Sequence, residues 1–225
     1  MIVRFRSKEI TFRLIPILLM LYSALIPLEN VLVASFGGSI NKYIGLLIMG
    51  MICMQCIYAG VSRVYIPKWM FLFSFFALCT MFWSVNQNFQ ILSVMLNVVL
   101  FTLIVIQYPL TADEKRWIII AIFVGGIVVS SMMLAGGAFT TINTIDRDRM
   151  SITIGGLTID NNNLAVSLSI CCLSGFSLIY KKKMILVKKI LIWIGIALIG
   201  VGILRTGSRG GLLALAVGGI VFLLF

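Results

Sequence analysis

Residues 190–204 read ILIWIGIALIGVGIL, residues 212–225 read LLALAVGGIVFLLF, and only the segment RTGSRGG at 205–211 separates these two apolar runs. Both runs are continuous rather than alternating, which favours helices over the strands of a transmembrane barrel. In lipid every backbone polar group must find its partner within the protein, so spanning segments form helical bundles or closed barrels. The pattern therefore predicts two membrane helices joined by a short turn rich in arginine and glycine.

The rest of the chain has the same character. Of its 225 residues 61% are hydrophobic and only 11% are charged, and the mean hydropathy is +1.13, whereas a soluble domain is about half apolar. The sequence predicts an all-α, polytopic transmembrane bundle of about eight helices, forming a single domain over residues 1–225 and surrounded by membrane lipids. The predicted spans are 12–28, 43–60, 69–84, 89–108, 117–136, 164–180, 190–204 and 210–225. Because the last run reaches Phe225 without a polar flank, we expect the chain to be the N-terminal portion of a longer protein.

The distribution of basic residues predicts the orientation. With the N-terminus in the cytoplasm, the inside segments carry 13 of the 18 Lys and Arg residues and the outside segments carry five, as the positive-inside rule requires. The first apolar run is long for a signal peptide, so we expect an uncleaved first helix. In this orientation residues 137–163 form an extracytoplasmic loop. The five outside basic residues are Lys42, Arg147, Arg149, Arg205 and Arg209.

Charge and composition argue against two other classes. The net charge of +11 does not predict nucleic-acid binding, because apolar spans interrupt the basic residues and most of these lie on the cytoplasmic side. The chain has no histidine and five cysteines, so no metal site is predicted. Cys53 and Cys56 fall in the middle of a span, and the adjacent Cys171 and Cys172 also lie in a span, where cysteine acts as a small apolar residue.

The strongest candidate site is the turn between the two quoted runs. A guanidinium at a membrane boundary is costly unless it has a partner, and Arg205 and Arg209 both lie outside, against the charge bias. An arginine fork binds phosphate in bidentate fashion, so a diphosphate would suit the pair. The alternative is that both side chains extend to the interface as isolated cations.

The glycines of this turn have two interpretations that the sequence leaves open. Gly207, Gly210 and Gly211 expose backbone beside the arginines, which would let an anionic ligand approach. A stripe of small residues at four-residue spacing, Gly210, Ala214 and Gly218, would equally allow close helix packing in lipid. Gly211, Leu215 and Gly219 follow the same spacing in part.

The loop 137–163 is the second polar region predicted to lie outside. It contains Asp-Arg-Asp-Arg at 146–149 and Asp-Asn-Asn-Asn at 160–163. Since it faces the same side as the arginine-glycine turn, the two regions could build one site. The simpler interpretations are a solvated charged loop at 146–149 and an N-cap, Asp160 or an asparagine, for the helix predicted from Leu164.

Three segments carry a resemblance to a known family. Residues 205–215, RTGSRGGLLAL, are similar to a signature of the O-antigen ligase and polymerase family of membrane glycosyltransferases. Trp83-Ser84-Val85-Asn86 resembles that family's tryptophan-serine turn. The stretch from Arg149 to Asp160-Asn-Asn-Asn-Leu-Ala resembles its arginine and Asp-Pro-Asn-x-x-Ala segment, with Asn161 in place of the proline.

The resemblance implies an all-helical bundle in the plasma membrane of a bacterium. Such a bundle moves a glycan from an undecaprenyl-diphosphate carrier to an acceptor, without metal, cofactor or nucleotide sugar. The acceptor is a lipid A-core in ligases and a carrier-linked glycan in polymerases. The family's chemistry is assigned to a histidine and an arginine in a large late loop, so the catalytic residues here stay unassigned and we expect no transfer by this chain alone. The residues implied to bind the carrier diphosphate are Arg205, Ser208, Arg209, Gly207, Gly210, Gly211 and Arg149.

Two other classes remain open. A transporter or flippase of a lipid-linked or anionic solute would also combine apolar spans with a few charges. Charges gathered at one face and the lack of an evident inverted repeat favour the enzyme. The third alternative is an inert fragment of a disrupted gene.

Overall fold

The structure is a computed structural model. It describes residues 14–36, 39–58, 72, 75, 79, 98–135, 139–144, 147–154, 157–158, 161–180 and 185–224. Contacts divide the chain into two compact units, one of Met1–Ile15 with Ile44–Leu110 and one of Pro16–Tyr43 with Thr111–Phe225. The second unit contains the arginine-glycine turn. The prediction of a single domain stays a prediction.

Long apolar helices dominate the described residues. Four of them, α3 to α6, are long and apolar enough to cross a membrane, and α1 and α7 are shorter apolar helices. This agrees with a helical, multi-pass membrane protein, although fewer spans are clear than the eight predicted. Of the predicted span 69–84 the structure describes only residues 72, 75 and 79, and of the span 89–108 it describes residues 98–108, which are helical from 98 to 105. The helices are α1 (Leu14–Leu25), α2 (Glu29–Phe36), α3 (Ile40–Tyr58), α4 (Ala112–Ala135), α5 (Asn161–Tyr180), α6 (Leu186–Arg205) and α7 (Arg209–Leu224).

The first predicted span, 12–28, was wrong at its C-terminal end. Helix α1 ends at Leu25, and a turn at residues 26–28 leads into α2, which the sequence did not predict. Pro27 accounts for the break, because proline lacks an N–H and disfavours helical backbone at the preceding residue. Gly125 of α4 fits against this corner, since a Cβ there would lie 2.3 Å from the carbonyl oxygen of Ala24.

Helix α4 begins at Ala112, five residues before the predicted Trp117. The reason is a capping box, in which two residues satisfy each other's backbone N–H groups. The Thr111 N–H donates to Glu114 Oε2 at 2.7 Å, and the Glu114 N–H donates to Thr111 Oγ1 at 3.3 Å. These bonds let the polar sequence before the apolar run join the helix.

The region predicted as the loop 137–163 contains three short strands, an addition to the all-α prediction. They are β1 (Phe139–Thr144), β2 (Arg147–Ile154) and β3 (Leu157–Thr158), in an antiparallel sheet of order β1-β2-β3. Arg149 pairs with Ile142 in the register of β1 and β2. The strands are rich in threonine and isoleucine, whose branched side chains favour extended backbone.

The core of the second unit lies where α4, α5 and α6 meet. Phe123 fills this centre: a Cβ on Gly175 or on Gly195 would lie 2.6 Å from its ring. Gly126 is equally close to Cys171, with 2.4 Å between the corresponding Cβ positions. Small residues at such contacts let helices approach closely in lipid, where apolar packing replaces the hydrophobic effect.

Cys171 and Cys172 are both buried in this core, as their apolar interpretation predicts. Two adjacent residues can both be buried because α5 contacts α4, α6 and α7. The buried members of the core are Val31, Phe123, Val129, Met133, Leu164, Leu168, Cys171, Cys172, Ile196, Ile199 and Ile203.

Candidate functional site

The arginine-glycine turn is a tightly bonded connection between α6 and α7. Helix α6 ends at Arg205, and the Thr206 N–H still donates to the carbonyls of Gly202 and Ile203. Gly207 follows with φ 63°, the left-handed backbone in which helices commonly end on glycine. The Thr206 hydroxyl donates to the Ile203 carbonyl at 2.7 Å and accepts the Ser208 N–H at 3.2 Å. Since Thr206 is 0% exposed, the floor of the turn is closed to solvent.

Ser208 is the N-cap of α7. Its Oγ accepts the N–H of Gly211, the third helical residue, at 3.1 Å, which is the usual bond of an N-cap serine. The Leu212 N–H donates to the Ser208 carbonyl at 3.3 Å. The chain therefore enters α7 in a fixed direction at Arg209.

The first turn of α5 binds the arginine-glycine turn through two asparagines. The Ser208 hydroxyl donates to Asn162 Oδ1 at 2.7 Å, and Asn161 Nδ2 donates to the Thr206 carbonyl at 3.4 Å. The 160–163 segment and the arginine-glycine turn are thus in contact at Asn161 and Asn162, and the prediction that they build one site stays a prediction. Asp160, the other predicted N-cap, lies outside the described residues.

Behind the turn, α5 and α7 touch through their backbones. A Cβ on Gly211 would lie 2.3 Å from the Cβ of Ala165, so only glycine fits there without movement. The buried Ser169 hydroxyl is shared between the carbonyls of Ala165 at 2.8 Å and Gly211 at 2.9 Å. Of the glycines at the predicted four-residue spacings, Gly211 and Gly218 make close contacts, since a Cβ on Gly218 would lie 2.5 Å from Leu173 Cδ1. At Gly210 the nearest described atom to a Cβ is Ser208 Oγ, at 3.8 Å.

The two arginines lie on the exposed side of the turn. Arg205 and Arg209 are both exposed, and no acidic residue stands in the first turn of α7. The backbone N–H groups of Arg209 and Gly210 have no acceptor among the described residues, as expected for the first N–H groups of a helix. Cationic side chains, free N–H groups and the positive end of the α7 dipole thus occur together.

The structure sorts the predicted diphosphate-binding residues into two groups. Arg205, Arg209 and Gly210 are exposed. Ser208 and Gly211 are buried and make contacts within the protein, and their predicted part in diphosphate binding stays a prediction. Gly207 shapes the turn through its backbone.

The remaining predicted positions are less well placed. The backbone of Arg149 lies in β2, and its side chain is outside the described residues, as are Trp83 to Asn86. The sequence analysis missed Thr206 and Ser169, which hold the turn from within. Threonine between an arginine and a glycine at a helix end is a usable signal for Thr206, whereas the role of Ser169 depends on a tertiary contact.

Two other polar features of the described residues bear on a ligand site. No group of three or more histidine, cysteine, aspartate or glutamate residues among those described could hold a metal ion. Ser130 is 0% exposed and its Oγ has no hydrogen-bond partner within the described part of the chain; a Cβ on Gly202 would lie 2.8 Å from that oxygen. Neither feature competes with the turn as a ligand site.

No protein-family model, curated protein or solved structure matches this chain.

Proposed function

We propose that this chain is a membrane glycosyltransferase of surface-polysaccharide assembly, similar to O-antigen ligases and polymerases, and that the arginine-glycine turn binds the diphosphate of an undecaprenyl-diphosphate-linked glycan. The observation that carries the proposal is the exposure of Arg205 at the end of α6 and of Arg209 at the start of α7, with the N–H groups of Arg209 and Gly210 in the first turn of α7. The resemblance of residues 205–215 to the family signature implies that the carrier is undecaprenyl diphosphate and that the reaction is glycan transfer.

The physical chemistry of the turn suits a diphosphate. Helix N-termini bind anions through free N–H groups and the helix dipole, and guanidinium groups add charge-assisted, bidentate hydrogen bonds. The apolar runs on both sides of the turn would keep it near the membrane boundary, where the headgroup of a lipid carrier lies. A free anion in solution would not need this location.

In the proposed reaction, a hydroxyl oxygen of the acceptor forms a bond to the anomeric carbon of the donor glycan. The bond from that carbon to the carrier diphosphate breaks, and the electron pair leaves with the diphosphate. Arg205 and Arg209 would stabilise the charge that develops on this leaving group. The base that accepts the hydroxyl proton is unassigned. The acceptor is a lipid A-core or a second carrier-linked glycan.

Binding is the direct test of the donor site. The purified full chain in detergent micelles is titrated with farnesyl diphosphate, and with inorganic pyrophosphate to separate lipid-linked from free anions. Arg209→Ala should weaken farnesyl diphosphate binding about 10-fold or more, because a charged hydrogen bond contributes roughly 1.5–3 kcal/mol. Arg209→Lys should restore only part of the affinity, since lysine lacks the planar fork.

Lys188→Ala is the matched control, because Lys188 is also exposed at a helix start but lies on the predicted cytoplasmic side. Equal binding by wild type and Arg209→Ala would reject the proposal. Stronger binding of pyrophosphate than of farnesyl diphosphate would replace a lipid carrier with a soluble anion.

A second experiment separates the enzyme from the transporter. Proteoliposomes that contain the chain and a lipid-linked oligosaccharide, with or without acceptor, are analysed for glycan length on a gel and for the leaflet that holds the glycan. A glycosyltransferase gives longer or transferred glycan. Movement between leaflets with no change of length would support a flippase instead.

A further inference from the structure

We infer that Asn162 is a positioning residue for the arginine-glycine turn: through the Ser208 hydroxyl it fixes the start of α7, and with it the exposed N–H groups of Arg209 and Gly210. This inference rests on the proposed function, because the direction of those N–H groups affects binding only if the turn receives an anion. It assigns a role to the 160–163 segment that differs from capping its own helix.

The Ser208 hydroxyl is held in one orientation by Asn162. A serine hydroxyl has one hydrogen and two lone pairs, and it rotates toward whichever acceptor is available. Here its hydrogen is directed to Asn162 Oδ1, at 2.7 Å. The lone pairs are then free to accept the Gly211 N–H, at 3.1 Å. Asn162 therefore decides which way the N-cap of α7 points.

Ser208 is 4% exposed although Asn162 is exposed, so in the folded protein the Ser208 hydroxyl meets Asn162 rather than solvent. Without that acceptor the hydroxyl hydrogen would turn toward another carbonyl, and the cap bond to Gly211 would weaken. Arg209 and Gly210 lie between Ser208 and Gly211, so a weaker bond between these two residues would also change the direction of the N–H groups of Arg209 and Gly210.

Helix α5 supports the arginine-glycine turn at more than one residue. The N-terminal part of α5 holds the connection at two further points, through Asn161 Nδ2 on the Thr206 carbonyl at 3.4 Å and through Ser169 on the Gly211 carbonyl at 2.9 Å. Asn162 lies on the same helix as these two contacts. The position of α5 therefore fixes the position of Ser208, and with it the start of α7.

The test measures farnesyl diphosphate affinity of the full chain in detergent micelles for wild type, Asn162→Ala, Ser208→Ala and the double variant. Each single change should weaken binding about five-fold, the effect of one lost N-cap hydrogen bond. The double variant should bind no more weakly than the weaker single variant, because both changes break the same path. Asn163→Ala is the matched control, since Asn163 is the neighbouring exposed asparagine.

A hydrogen-bond-retaining variant separates positioning from general stability. Asn162→Asp keeps an acceptor for Ser208 but places a carboxylate beside the anion. Its affinity relative to wild type should therefore be reduced at low salt and recover toward wild type at high salt, whereas Asn162→Ala should show the same ratio at both.

The outcomes distinguish the two proposals. If Arg209→Ala loses binding while Asn162→Ala binds as wild type does, the positioning role is wrong and the donor site stands. Additive losses in the double variant would also reject a path through Ser208. If Arg209→Ala has no effect, the proposed function fails, and the positioning role fails with it.

Discussion

Gly211 and Ala165 bring α7 and α5 into backbone contact directly behind the arginine-glycine turn. A Cβ on Gly211 would lie 2.3 Å from the Cβ of Ala165 and 3.2 Å from its backbone carbonyl carbon. Such distances leave room for a hydrogen atom and no more. The position of the exposed turn thus depends on a glycine that no ligand touches.

Gly211→Ala should therefore destabilise the protein by about 1–3 kcal/mol, the usual range for an overpacked contact between rigid groups. The measurement is denaturant-induced unfolding in detergent, followed by circular dichroism. Gly210→Ala is the control, because its Cβ would find only Ser208 Oγ, at 3.8 Å. An equal loss of stability in both variants would contradict the close approach of α5 and α7.

Gly207→Ala should also destabilise, for a different reason. The residue has φ 63°, and left-handed backbone costs an L-amino acid about 1–2 kcal/mol. Gly200→Ala should have the opposite sign, because Gly200 lies inside α6 with nothing within 4 Å of its Cβ position and alanine favours a helix over glycine by about 1 kcal/mol. The same unfolding experiment compares them, and stabilisation by both changes would show that Gly207 is not held in the left-handed region.

The sequence predicted the two helices beside the turn well. The predicted spans 190–204 and 210–225 became Leu186–Arg205 and Arg209–Leu224. A long apolar run favours a helix over its whole length. The polar, glycine-containing segment RTGSRGG at 205–211 separates the two apolar runs at a single place. Local signals were sufficient because local backbone geometry ends one helix and caps the next.

The partners of the asparagines could not be predicted in the same way. Asn161 and Asn162 are good N-cap residues by any local rule, and the sequence left capping and site-building as alternatives. Their side chains bind Thr206 and Ser208 instead, some 45 residues further along the chain. Only the packing of α5 against α7 selects this arrangement. The strands β1 to β3 were not predicted, because the charged residues 146–149 indicated a solvated loop. The threonine and isoleucine residues on either side, which favour strands, were given less weight.

The capping box of α4 gives a prediction away from the turn. Thr111→Ala removes the acceptor of the Glu114 N–H and should destabilise the first turn of α4 by about 0.5–2 kcal/mol. Amide hydrogen exchange in residues 112–116 should become faster in this variant. Asp113→Ala serves as the control, because it removes an acidic residue from the same first turn but leaves the box intact. Faster exchange of the same size in both variants would assign the effect to charge rather than to capping.

The last prediction concerns the side of the membrane on which the turn lies. The charge bias predicts that residues 137–163 and the arginine-glycine turn lie outside and that the connection before α6 lies inside. In a variant without the five native cysteines, all of which are free where the structure describes them, single cysteines are placed at Ser151 in β2 and at Lys188 near the start of α6. A membrane-impermeant maleimide added to intact cells should label position 151 and leave position 188 unlabelled until the membrane is opened. The reverse pattern would place the arginines in the cytoplasm, where an extracytoplasmic glycan donor could not reach them.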